Sequence, residues 1–139
     1  MFGVALSYTP VNAEELNTEI EYFEDGSYLV TTITEDTMTR ASGTKTGTKT
    51  ANYYSNGKVM WSVAVTGTFT YTSTSAKCTK SSVSTTCPGS TWKISSKSAS
   101  KSNNIATAKA TAKQYQSGVC IFTKTVTVSL GCGANGVLG

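Results

Sequence analysis

The stretch VMWSVAVTGTFTYT, residues 59–72, decides the fold. Its odd positions are mostly apolar, with Trp61, Val63 and Phe69 among them, whereas its even positions are mostly small or hydroxylated. Successive side chains of a strand point to opposite faces, so this period of two predicts a long β-strand with one buried face. Gly67, in the middle of the stretch, predicts a bend or a bulge.

A hairpin turn stands immediately before this strand. Asn56-Gly57 is the strongest short signal for a β-hairpin, because both turn residues tolerate positive φ. A two-residue turn pairs Tyr54 with Val59 and, further along, Asn52 with Trp61. The face turned away from the buried valines then holds Lys45, Lys49, Ala51 and Tyr53. This register predicts that both of these lysines reach solvent.

The C-terminal half repeats the alternation. Residues 106–113 alternate alanine with threonine or lysine, and residues 119–132 alternate apolar with hydroxylated side chains. A three-residue loop over 116–118 pairs Ala112 with Phe122, whereas a two-residue loop would bury a lysine against that ring. The small alanines predict that a facing sheet approaches closely.

Further strands complete an all-β chain. Asp25-Gly26 predicts a third hairpin that places Tyr22 beside Leu29, and the alternative is a helix over 16–23. Strands are also predicted over 78–86 and 91–98, with Trp92 and Ile94 inward and Lys93 and Lys97 outward. About seven strands separated by turn signals predict an antiparallel β-sandwich, immunoglobulin-like or similar.

The charges are segregated along the chain of 139 residues. All 8 carboxylates lie in the first 36 residues and all 12 basic residues follow them, so residues 1–39 sum to −8 and residues 40–139 to +12. Histidine is absent, which removes the commonest general base and metal ligand. We therefore expect no catalytic residues, no cofactor and no metal site, and a protein that is not an enzyme.

The first residues look like the remainder of a secretory signal. Residues 1–13 contain an apolar run and end in Val11-Asn12-Ala13, which has small residues at the positions that a signal peptidase reads. The prediction is a signal remnant over 1–13 and a single β-sandwich domain over 14–139, secreted and extracellular. No apolar run approaches the ~20 residues of a transmembrane helix.

Four cysteines allow three disulfide pairings. Cys120 and Cys132 lie in one predicted strand about 40 Å apart, whereas bridged Cα atoms lie within about 7 Å. Bridge 120–132 is thereby excluded, and bridge 78–87 with it if all four are paired. The remaining sets are 78–132 with 87–120 and 78–120 with 87–132. The first follows if the strand from Cys78 to Cys87 runs antiparallel to that from Cys120 to Cys132, the commoner arrangement.

Several segments resemble a known family. They are YFEDGSY (22–28), SGTKTG (42–47), NGKVMW (56–61), GTFTY (67–71), Trp92 and CGANG (132–136). Together they resemble a family of small secreted β domains of unknown function from Gram-positive anaerobic bacteria. The resemblance implies secretion and a compact β domain. It also implies that 78–132 is the basic bridge and 87–120 an addition.

A basic surface is the feature most suggestive of function. The candidate residues are Lys45, Lys49, Lys93, Lys97, Lys109 and Lys113, all outward in the strand assignment. Such a surface suits an anionic wall polymer, a glycan or a lipid surface. No nucleic acid is expected, because the lysines lack interleaved aromatic residues and arginine. We expect a secreted binding or interaction protein at an envelope or host surface; the alternative is an antimicrobial or toxin-like effector that targets anionic envelopes.

Aromatic residues offer a second hypothesis. Tyr53, Tyr54, Trp61 and Trp92 could stack on sugar rings, as in carbohydrate-binding modules. The two tryptophans alternate with the predicted core residues, which favours burial, and only Tyr53 is predicted to face outward.

Overall fold

The computed structural model describes residues 15–35 and 43–139, and these residues form eight β-strands and no helix. The strands are β1 (Glu15–Tyr22), β2 (Tyr28–Glu35), β3 (Thr44–Ser55), β4 (Lys58–Tyr71), β5 (Ala76–Thr86), β6 (Trp92–Ser102), β7 (Ile105–Gln116) and β8 (Val119–Gly131). The predicted all-β fold is confirmed, with eight strands where about seven were expected. The alternative helix over 16–23 is wrong, because β1 occupies that segment.

The strands form two antiparallel sheets in chain order. One sheet has the order β1-β2-β3-β4-β5 and the other the order β6-β7-β8. β7 and β8 lie against β3 and β4, and side chains of both sheets enter one buried cluster. The first sheet is two strands wider than the second.

β4 supplies the centre of this cluster. Trp61, Val63 and Phe69 are at most 1% exposed, so the predicted inward face is confirmed. Gly67 lies at a close approach of the two sheets, since a Cβ atom built there would stand 2.9 Å from the Cβ atom of Ala106 in β7. The bulge lies on the partner strand β5, at the shift between Thr68 and Phe69, and not at Gly67 itself.

A bulge also shifts the β3–β4 hairpin by one residue. The turn at Asn56-Gly57 is as predicted, and Tyr54 pairs with Val59. Met60 is then the extra residue, because Tyr53 pairs with Trp61 where Asn52 was expected. A bulge puts two residues opposite one and reverses the faces beyond it. The predicted outward face of β3 is therefore wrong and turns toward the core.

The other hairpins show similar offsets. Tyr22 pairs with Tyr28 where Leu29 was expected, because the β1–β2 turn takes five residues. The β7–β8 turn has two residues where three were predicted, and a bulge at Ile121 follows it. Ala112 consequently pairs with Lys124 and not with Phe122. This shift is by an even number of residues, so the alanine face stays inward as predicted: Ala106, Ala108, Ala110 and Ala112 are at most 1% exposed.

The four cysteines are free thiols in this structure. The expected bridges 78–132 and 87–120 are thus not formed here, and the strand pairing assumed for them is wrong, because β5 pairs with β4 and β8 pairs with β7. Each sulfur instead lies within hydrogen-bonding distance of a nearby carbonyl oxygen, for example Cys87 Sγ at 3.2 Å from Trp92 O. The signal remnant predicted over 1–13 lies outside the described residues.

Candidate functional site

The outer face of the three-stranded sheet is built by the alternation of β7. The alanines point into the core, so Lys109 and Lys113 point away from it. Lys93 in β6 pairs directly with Lys113 and shares that face. We name Lys93, Lys109 and Lys113 the basic face; its predicted outward orientation is confirmed for all three residues.

Two like charges stand directly opposite each other on this face. Residues that face each other in an antiparallel pair have Cβ atoms about 4.5–5.5 Å apart. The side chains of Lys93 and Lys113 therefore start side by side on the sheet. The Lys93 Nζ atom also lies 5.8 Å from the ring centroid of Tyr115. Like charges directly opposite destabilise a sheet, and an anion bound between them would relieve that repulsion.

The sheet around this pair has no negative side chain. Its three strands contain six lysines and no carboxylate: Lys93, Lys97, Lys101, Lys109, Lys113 and Lys124. Neighbouring positions of the outer face carry hydroxyl groups, and these bond to each other across the strands. Thr111 and Thr125 are joined at 2.9 Å and Thr107 and Ser129 at 3.2 Å between side-chain oxygens. The basic face therefore projects from a polar sheet surface whose hydroxyls are fixed.

Lys97 does not share this face. A bulge at Ser95 shifts β6, so that Lys97 pairs with Ala110 and Lys101 with Ala106. Both lysines lie on the alanine side, and they are exposed because β6 is an edge strand. Lys97 is exposed as predicted, but it does not lie on the face of Lys93, Lys109 and Lys113. Lys101 was not among the predicted residues.

Lys45 and Lys49 do not belong to the outer surface that the sequence predicted for them. Beyond the bulge at Met60 they lie on the core side of β3, at the margin of the sheet contact. Lys45 Nζ is 3.0 Å from a carboxylate oxygen of Glu35, and Lys49 Nζ donates to the carbonyl of Ser129 in the second sheet at 3.1 Å. These two lysines make contacts within the protein, and the six predicted residues do not form one surface.

Lys124 joins the two sheets at the β1–β2 turn. Its Nζ atom lies 3.4 Å from the ring centroid of Phe23, the geometry of a cation–π contact. In the same turn, hydrogen bonds from the Ser27 hydroxyl and amide lower the pKa of Asp25, and the positive charge of Lys124 lowers it further. Lys124 therefore contacts the Phe23 ring and interacts electrostatically with the Asp25 carboxylate.

The aromatic residues proposed for sugar stacking are mostly in the core. Trp61, Trp92 and Tyr53 are 0%, 4% and 2% exposed, which confirms the burial of the tryptophans and contradicts the outward Tyr53. Burial raises the pKa of the Tyr53 hydroxyl. Tyr54 faces the other way and stacks on Tyr28, with centroids 4.9 Å apart.

Sequence reasoning missed an exposed apolar group at the end of the β7–β8 hairpin. Val119, Ile121 and Phe122 are 62%, 51% and 38% exposed. The signal was present, because a Val-Cys-Ile-Phe run follows Ser117-Gly118 directly. The alternating pattern had assigned half of that run to the core.

Other kinds of site are not represented in the part of the chain that the structure describes. Within residues 15–35 and 43–139, no group of three or more His, Cys, Asp or Glu side chains could hold a metal ion. The same residues contain no helix that is long and apolar enough to cross a membrane. Comparisons with protein-family models, curated proteins and solved structures found no match for the chain.

Proposed function

We propose that this chain is a secreted, non-enzymatic β-sandwich protein that binds an anionic surface through its basic face. The observation that carries the proposal is the direct opposition of Lys93 and Lys113 in a sheet whose strands have six lysines and no carboxylate. A protein interior or a neutral partner gains nothing from this arrangement. A ligand with a row of phosphate, sulfate or carboxylate groups gains favourable charge interactions with these lysines.

The sheet also suits a repeating ligand. Lys109 lies four residues from Lys113 along β7, about 13 Å away, so the basic face spans more than one anionic group. The strands behind it are fixed by the buried alanines. Because the positions are held before binding, little conformational entropy of the backbone is lost on contact. The resemblance to small secreted β domains and the signal-like residues 1–13 support the extracellular location in this proposal.

The proposal includes a disulfide between Cys78 and Cys132, formed outside the cell. Both side chains are buried, and this burial raises the pKa of both thiols. The amide of Cys78 donates to Asn103 O and the amide of Cys132 donates to Asn104 O, so adjacent residues of the β6–β7 turn hold the backbones of the two cysteines. Cys87 and Cys120 differ from them, because Cys87 packs against the core while Cys120 is exposed.

Binding to a soluble polyanion tests the basic face. The triple variant Lys93→Gln, Lys109→Gln, Lys113→Gln is expected to bind heparin at least about tenfold more weakly at moderate salt. The slope of log K against log salt concentration is expected to become smaller in magnitude by about three. Each of the three lysines contributes about one, because each displaces a counterion from the polyanion, as in binding to nucleic acids. Isothermal titration at several salt concentrations measures both.

A matched variant separates position from net charge. Lys58→Gln, Lys77→Gln, Lys80→Gln removes the same three charges from exposed positions of the five-stranded sheet. It is expected to retain most of the binding. If both triple variants lose the same heparin affinity, net charge alone explains the binding. If Lys93→Gln, Lys109→Gln, Lys113→Gln leaves the affinity unchanged, the basic face is not the binding site.

A further inference from the structure

The end of the β7–β8 hairpin is apolar although it faces solvent. We name Val119, Ile121 and Phe122 the apolar end. Large apolar side chains scattered singly on a surface are ordinary, whereas a contiguous group marks a contact site. Three such residues within four consecutive positions form a contiguous group.

The turn geometry places these side chains at the outermost point of the hairpin. Ser117 and Gly118 have φ angles of 53° and 80°, which is the tight two-residue turn that continues the twist of the strands. The amide of Tyr115 donates to Thr91 O at 2.8 Å. Beyond Tyr115 the hairpin continues through Gln116, which pairs with Val119, past the beginning of β6.

Two members of the apolar end lie on the core side of the hairpin, and the Phe122 ring meets the buried Trp92 ring edge-on, with centroids 5.9 Å apart. Val119 pairs with Gln116 and Phe122 with Gln114, on the core side of the sheet. Ile121 is the bulge residue between Cys120 and Phe122 and has no partner in the register. Val119 and Ile121, at 62% and 51%, are the more exposed members of the apolar end.

Positive charge stands directly behind the apolar end. Lys113 lies three residues from Gln116, about 10 Å along the strand, and Lys93 is opposite it. On the core side, Lys124 contacts Phe23 and lies near Asp25, so the available charge is that of Lys93 and Lys113. Apolar groups at a membrane interface reach about 5–10 Å into the boundary between headgroups and acyl chains. Lys93 and Lys113 would then stand at the level of the lipid phosphates.

We propose that the apolar end inserts into the interface of a lipid bilayer with anionic headgroups, while Lys93 and Lys113 bind the phosphates. This inference rests on the proposed function and names the surface as a membrane. Apolar insertion and charge attraction add in such contacts. A protein groove and a second copy of the chain are the occupants that the experiment has to exclude.

Vesicle sedimentation tests the insertion. The double variant Val119→Ser, Ile121→Ser is expected to bind phosphatidylcholine–phosphatidylglycerol vesicles at least about tenfold more weakly than the unmodified chain. Both proteins are expected to bind vesicles of phosphatidylcholine alone much more weakly than the unmodified chain binds the anionic vesicles. The control is Ile105→Ser, Val137→Ser, which removes an exposed isoleucine and an exposed valine, 41% and 62% exposed, from the opposite end of the hairpin. It is expected to bind like the unmodified chain.

A probe on Cys120 gives a second measurement. The thiol is exposed beside the apolar end, so an environment-sensitive fluorophore attached there in a Cys87→Ser background is expected to shift to the blue on anionic vesicles. Lipids with brominated chains are expected to quench it. No shift together with unchanged vesicle binding of the double variant would overturn the insertion.

Heparin separates this inference from the proposed function. If the double variant keeps heparin binding and loses vesicle binding, both proposals stand. If the unmodified chain binds heparin but not anionic vesicles, the membrane inference fails alone. If it binds neither, the proposed function fails as well. A monomer–dimer change caused by Val119→Ser, Ile121→Ser would assign the apolar end to a second copy and overturn the membrane inference.

Discussion

Replacing Phe69 with alanine is expected to lower the free energy of unfolding by about 3–5 kcal/mol. The ring is 0% exposed and fills the space where Gly67 of the same strand meets Ala106 of the other sheet. Its removal leaves a cavity between two closely approaching strands of the two sheets. Denaturant unfolding followed by tryptophan fluorescence measures the change. Phe69→Leu, which leaves a smaller cavity, is the substitute if the alanine variant does not fold.

A substitution at Gly67 tests whether the effect of Phe69→Ala comes from the close approach of the two sheets. A Cβ atom at position 67 would lie 2.7 Å from the Phe69 Cζ atom and 2.9 Å from the Ala106 Cβ atom. Gly67→Ala alone is therefore expected to cost about 1–3 kcal/mol. In the Phe69→Ala background the cost is expected to fall, because the ring atoms are gone, with a coupling of about 0.5–3 kcal/mol.

The control is a neighbour on the other face. Thr70→Ala, at an exposed position of β4, is expected to change stability by no more than about 0.5 kcal/mol. Strictly additive effects of Gly67→Ala and Phe69→Ala would show that the two side chains do not compete for the same space.

The sequence predicted the strands and their buried faces well, because the alternation of side chains is a local property. The inward set of β4 and the alanine face of β7 depend only on a period of two, and both are confirmed. Turn residues were equally informative at Asn56-Gly57. All of these signals lie within a few residues of the element that they specify.

Register could not be predicted to the same degree. The bulges at Met60, Ser95 and Ile121 each add one residue to a strand, and none has a compositional signature of its own. One such residue reverses a face, which is why Lys45 and Lys49 were expected in solvent. Lys109 and Lys113 keep the predicted face because β7 has no bulge in its own strand, and Lys93 keeps it because it precedes the bulge of β6 at Ser95.

The assignment of strands to sheets also required the structure. The bridge 78–132 was favoured on the premise that the strands of Cys78 and Cys132 pair with each other, and they belong to different sheets. The backbones of both residues are instead bound by the β6–β7 turn. The Cys78 amide donates to Asn103 O at 2.7 Å and the Cys132 amide donates to Asn104 O at 3.1 Å. Adjacent residues of the β6–β7 turn thus hold both cysteines.

Oxidation is expected to join Cys78 to Cys132 and to raise the free energy of unfolding by about 4 kcal/mol. The bridge closes a loop of 55 residues, counted from 78 to 132, and so removes much conformational entropy from the unfolded chain. Each thiol loses its proton, and the two electrons pass to a disulfide oxidant such as oxidised glutathione. Burial raises the pKa of both thiols, and only the thiolate attacks a disulfide. The bridge is therefore expected to form during refolding and slowly in the folded protein.

Denaturant unfolding with and without a reductant measures this stabilisation, and peptide mapping of the unreduced protein identifies the bridge. Cys78→Ser, Cys132→Ser is expected to be insensitive to reductant, whereas Cys87→Ser, Cys120→Ser is expected to keep the full response. Asn104 provides an independent check, because its side-chain amide donates to Cys132 O at 2.7 Å and fixes the position of that residue. Asn104→Ala is expected to slow formation of the bridge. A bridge mapped to Cys87 or Cys120, or a stability that reductant leaves unchanged, would show that the β6–β7 turn does not bring the two thiols together.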